Sequence, residues 1–150
     1  MTRAQLIARV RAYTRDFSNS IFREVDVIDF INEGIDRIKE VVPELANMKY
    51  LNENTDSPLY LPNQYHILLA IYSAARCFGQ DERHYQATTF MNEFETKLEE
   101  LRTKIENGDI TIVDENGKEI VADLKTDYVR NVYFNDRTLI DVDDGVEGVE

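Results

Sequence analysis

The 150-residue sequence predicts a mainly α protein: a four-helix bundle-like domain, followed by a C-terminal β-hairpin and an extended acidic tail. Three observations lead there. Apolar residues recur at spacings of three and four in four successive segments, the pattern of helices that bury one face. Asn116-Gly117 stands between two β-branched runs, the strongest short-range hairpin signal. The last ten residues, DVDDGVEGVE, hold five acids and no base, too little apolar matter for a core of their own. The chain divides accordingly into a helical domain (1–106), a hairpin with an extended arm (107–140) and the acidic tail (141–150).

Thr2 followed by Gln5 fits a helix N-cap with a capping box. Leu6, Val10, Tyr13 and Phe17 then fall on one helical face, and Phe17-Ser18-Asn19-Ser20 turns the chain. A second helix begins near residues 24–26, with the stripe Val27, Ile28, Ile31, Ile35, Ile38 and Val42, and Pro43 stops it. Gly34 inside that helix costs about 1 kcal/mol relative to Ala, which implies close approach by another helix. Residues 47–58 are polar and read as a loop, and residues 58–62 form a short extended stretch between two prolines. The third helix, about 64–78, is apolar almost all round and is expected at the centre of the bundle. After Gly79-Gln80-Asp81 a fourth helix runs from about 82 to 106. Its seam is Ala87, Met91, Phe94, Leu98, Leu101 and Ile105, and Asn107-Gly108 ends it. Beyond it, Asn116 and Gly117 are expected in a type I′ turn with positive φ at both positions.

Composition narrows the function. A net charge of −12 argues against wrapping nucleic acid, which needs clustered Lys and Arg. No apolar run approaches the roughly 20 residues that span a bilayer, and the N-terminus lacks the pattern of a signal peptide, so the protein reads as soluble and made in the cytoplasm. The charge is uneven. Residues 1–23 carry five Arg (Arg3, Arg9, Arg11, Arg15, Arg23) against one acid, Asp16, a balance of +4, so the other 127 residues carry −16. A solvated helix face explains this simply. The sharper reading is that Arg11 and Arg15, four residues apart and opposite the apolar face, point away from the core and meet acids on a neighbouring subunit.

Chemistry is scarce. His66 and His84 have no partner at i+3 or i+4 to complete a metal site, and both read as structural. Cys77 reads as a small core residue, unless folding brings a His beside it. The carboxylates fall mostly on polar helix faces rather than in the apolar pocket that a catalytic acid needs. No catalytic, metal-binding or cofactor-binding residue is expected, and no cofactor. The chain reads as a scaffold rather than an enzyme.

Two segments carry a resemblance. The second helix, VIDFINEGIDRIKEVVPEL, resembles the helix that opens the head–tail adaptor (connector, head-completion) proteins of tailed bacteriophages. The stretch with Leu61-Pro62-Asn63-Gln64-Tyr65, Ala74-Ala75-Arg76 and Gln80-Asp81-Glu82-Arg83 resembles the paired helices of the same family. The resemblance covers about residues 1–105. It implies a ring, usually of twelve copies, docked under the portal protein in the virion neck after assembly in the host cytoplasm. Neighbouring copies and the next neck or tail protein would be its other partners, and DNA would pass through the lumen without specific binding. No membrane is involved. The segment 106–150, with Tyr128, Val132, Tyr133 and Phe134, is expected to touch other subunits or the portal more than its own bundle. Two alternatives remain: a soluble helical interaction module without catalysis, binding through the seam 87–105, and a hydrolase using an unrecognised carboxylate pair.

Overall fold

The computed structural model describes residues 1–121. Four α-helices are formed among them: α1 (Arg3–Thr14), α2 (Glu24–Val41), α3 (Ile67–Gln80) and α4 (His84–Glu106). One-turn 3-10 helices lie at Pro43–Leu45 and Asn63–Tyr65. The mainly helical expectation is met, and Met1–Ile120 form one compact unit.

α1 starts as its sequence dictates. The Thr2 hydroxyl accepts from the Gln5 amide, and the Gln5 side chain reaches back to the Thr2 amide at 2.8 Å. The polar loop after α2 completes the same helix end from a distance. Arg3 and Ala4 amides donate to the carbonyls of Asp56 and Asn54, and the Arg3 guanidinium grips Leu51 O, Asn52 O and Asn54 Oδ1. Loop and helix thus satisfy each other's orphan backbone groups.

α3 is the central element. It packs against α1, α2 and α4, and Leu68, Leu69, Ala70, Ile71, Ala74 and Cys77 are at most 1% exposed. The α2 stripe lies against it, with Val27, Ile31, Ile35, Ile38 and Val42 fully buried. Gly34 explains itself here: a Cβ would meet Leu69 Cδ2 and the Cβ and Cδ1 of Tyr72 at 3.3 Å. Tyr72 Cβ is fixed to its own helix and cannot yield. Gly34→Ala should therefore lose about 1 kcal/mol despite its better helix propensity, measurable by urea denaturation. A stabilised variant would show that the two helices can separate freely.

On α4, Phe94, Leu98 and Leu101 are buried against α3, with Phe90, Met91 and Ile105 partly covered. The middle of the seam is therefore occupied within the chain, while Ala87, Met91 and Ile105 stay partly exposed. No helix among the described residues is long and apolar enough to cross a membrane.

Three expectations need correction. Phe17 is not a core residue: α1 ends at Thr14, Arg15 turns left-handed (φ 59°), and Phe17 is 73% exposed, while Phe22 enters the core. The segment after α4 does not simply leave the bundle, because Ile112 is buried in the core with Ile110 and Ile120 packed against it. The turn at 116–117 is not type I′, since φ is positive at Gly117 (81°) but not at Asn116. Instead the Gly117 amide donates to Asp114 O, and the Asp114 carboxylate accepts from the amides of Asn116 and Lys118. The aspartate side chain tightens the loop into a type I-like turn with a left-handed glycine. Pairing beyond it is one antiparallel bridge, Val113 to Glu119, and no strand forms among the described residues.

Candidate functional site

The segment joining α1 to α2 is a built corner. Asp16 sits at its centre and is only 1% exposed. Its carboxylate accepts from the amides of Ser20 (2.9 Å), Ile21 (3.1 Å) and Phe22 (2.9 Å), and from Arg11 Nη1 at 2.7 Å. The same Arg11 nitrogen also donates to Phe22 O at 2.7 Å. Burial alone would push the Asp16 carboxyl up. The amides of Phe22, Ile21 and Ser20 and the nearby guanidinium outweigh it and hold the group below its ordinary value. Phe22 anchors the loop from below.

The geometry corrects the reading of Arg11. It does not point away from the core: it is 5% exposed and ion-paired within its own chain. The left-handed Arg15 reverses the backbone so that Asp16 swings back under the last turn of α1, where Arg11 lies. Arg11 Nε and Nη2 are buried with no hydrogen-bond partner among the described residues, so the clip is incompletely satisfied on the arginine side. Arg15 is exposed, as expected. Periodicity missed the role of Asp16. The available signal was a single acid, five residues after an arginine and two before Ser18-Asn19-Ser20.

The basic N-terminal stretch is thereby partly spoken for. Arg3 holds the 51–54 loop, Arg11 is buried, and Arg23 makes a two-pronged contact with Asp26 at 3.0 Å. Arg9 and Arg15 remain exposed, and neither is in an ion pair among the described residues. Beside Arg15 the corner presents Phe17 (73% exposed), Ile21 (51%) and Val25 (52%). Single exposed apolar residues are ordinary; here three fall within nine residues of one corner, close in sequence to Arg15, which has no ion pair among the described residues. The other proposed contact residues, Tyr128, Val132, Tyr133 and Phe134, lie outside the described residues.

Three residues that could carry chemistry, His66, Cys77 and Tyr72, are otherwise engaged, while His84 is exposed. His66 is buried, its Nε2 donating to Leu61 O (2.9 Å) and its Nδ1 accepting from the Met1 amine (2.6 Å). Burial holds its pKa below the ordinary value, so the ring is neutral. Burial also pushes the Cys77 thiol up to about 11, away from nucleophilic use. Tyr72 donates to Glu33 (2.9 Å), which also pairs with Arg76 (2.8 Å), and burial drives the phenol up to about 12. Among the described residues no group of three or more His, Cys, Asp or Glu is placed to hold a metal ion. An open groove of about 400 Å³ lies along the 49–59 loop. Its one carboxylate, Asp56, already accepts the Asn52 and Glu53 amides. Comparison of the chain with protein families, with characterised proteins and with solved structures gives no match.

Proposed function

We propose that this chain is a non-catalytic structural protein of a tailed-bacteriophage virion, a head–tail adaptor. Copies would form a ring, of about twelve, below the portal protein. The ring would link the capsid to the next neck or tail protein and line the channel through which DNA leaves. The observation that carries the reading is the resemblance of the second helix and of residues 61–101 to that family. The packing is consistent with it, since these segments are the helices α2, α3 and α4 of one continuous core. A net charge of −12 suits a channel wall, because DNA that must slide is held by each phosphate–cation contact. A monomer with its bare arginines on one helix and its acids elsewhere suits head-to-tail contacts, which close into rings when the rotation allows. In this reading the segment beyond residue 121 and its acidic tail are reach toward neighbouring subunits.

Electron microscopy of the purified protein, and of particles assembled with and without it, tests the proposal. Rings and tail-less heads in its absence are expected. Complete particles formed without it, or a monomer at every concentration, would overturn the reading. Charge supplies a second test. The double variant Arg9→Glu/Arg15→Glu should stay within about 1 kcal/mol of the parent in stability, since both side chains are solvated. Its self-association should weaken several-fold at low salt and converge on the parent at high salt. Equal association across the salt series would mean that these arginines only face water.

A further inference from the structure

We propose that the corner formed by Arg15, Phe17, Ile21 and Val25 is the docking site for the acidic C-terminal segment, 140–150, of a neighbouring copy of this chain. This rests on the self-association in the function proposed above, and on nothing else in it.

The corner supplies what a short peptide needs. Its loop is fixed in one shape by the Asp16 carboxylate and the Arg11 clip, so little is lost in ordering it on contact. It offers three apolar side chains more than half exposed, with the cationic Arg15 next to them. Arg9 lies less than two turns back along α1 and is also exposed. The matching chemistry is most concentrated at the C-terminus. Ile140-Asp-Val-Asp-Asp-Gly-Val-Glu-Gly-Val-Glu150 interleaves four large apolar residues with five acids and carries no base. On the helices the large apolar side chains of α2 and α4 are mostly turned into the core, Val25 and Tyr85 excepted.

Direction and reach favour a neighbour. α1 begins beside the 51–56 loop, and α3 begins at that same end, where His66 meets Met1. α4 runs back toward it, with Glu100 and Lys104 beside Tyr65. The segment after α4 therefore starts at the end of the bundle where α1 starts, whereas the corner is at the end where α1 finishes. The 20 residues from 121 to 140 can span at most about 70 Å, enough to cross onto an adjacent subunit of this size. A segment leaving one end and a site at the other is the arrangement that repeats around a head-to-tail assembly.

The test is a photocrosslink in the full-length chain. Phe17→p-benzoylphenylalanine places the reactive group on an exposed side chain and leaves the core untouched. Isotopically heavy and light copies are mixed, irradiated and mapped by mass spectrometry, with light scattering on the same sample. The expected product joins position 17 of one copy to residues 138–150 of another. Its yield should fall about threefold or more with Arg15→Glu, in line with loss of an exposed ion pair, and should also fall at high salt. Crosslinks to other segments, crosslinks only within one copy, or no product would overturn the docking proposal. Association by light scattering without the 17-to-tail crosslink would leave the ring reading standing and this inference refuted. A monomer throughout would refute the self-association itself.

Discussion

A chain carrying Leu68→Asp is expected to be unfolded at neutral pH. Leu68 is fully buried on α3, the helix that touches all three others. Removing the leucine forfeits about 2 kcal/mol of apolar burial. Placing an unpaired carboxylate there costs several kcal/mol more. Against a total stability of about 5–15 kcal/mol for a domain of this kind, the sum removes most or all of the margin. Leu68→Ala should lose only about 3 kcal/mol and remain folded, which separates a cavity from a buried charge. Circular dichroism with thermal and urea unfolding reads both. An unchanged melting curve for Leu68→Asp would mean that α3 is not the centre of the core.

What the sequence disclosed follows from which interactions are local. The α2 stripe was legible because spacing alone places Val27, Ile28, Ile31, Ile35, Ile38 and Val42 on one side, and all but the half-buried Ile28 are buried. Gly34 was legible as a close approach for the same reason: a glycine inside an otherwise good helix needs a cause, and Tyr72 is that cause. Periodicity failed where the backbone left the helix. Spacing carries Phe17 onto the face of Leu6 and Val10, but Arg15 takes a left-handed conformation that few non-glycine residues adopt, and nothing in the pattern marks it. Arg11 was misjudged by the same step, since its partner reaches it only after the chain reverses. Contacts between distant segments were likewise invisible. Residues 47–58 read correctly as a loop, yet their use of Asn54 and Asp56 carbonyls to cap α1 depends on tertiary folding. Ile112 lies in a run with strand-like composition, and its burial comes from joining the hydrophobic core of the helices. The turn at 114–118 was legible as a turn; its type was decided by one carboxylate two residues upstream of Asn116.

Asp16→Ala should cost about 3 kcal/mol, more than any other single change on the surface corner. The substitution strands the amides of Ser20, Ile21 and Phe22 together with a buried guanidinium that already has two unpartnered nitrogens. Asp16→Asn retains an acceptor but brings an NH2 group among donors, so it should recover only part of the loss. Arg11→Met should cost less than Asp16→Ala, because the carboxylate keeps its three amides. The double variant should fall short of the sum by at least about 1 kcal/mol if the two act as one clip. The pH dependence has a definite sign. The folded pKa of Asp16 lies below its ordinary value of 3.8, so its contribution is complete above that value and disappears as pH falls through the folded pKa. The stability gap between parent and Asp16→Ala should hold constant from about pH 7 to pH 5 and narrow below about pH 4; a gap that narrows on going alkaline would contradict the assignment. The same variant also separates scaffold from surface. Loosening the 16–22 loop leaves Phe17, Ile21 and Val25 chemically intact but no longer held in one arrangement. At a temperature where Asp16→Ala is still fully folded, its self-association should weaken along with the corner. Undiminished association in a folded Asp16→Ala protein would show that the rigid corner is not where neighbouring copies meet.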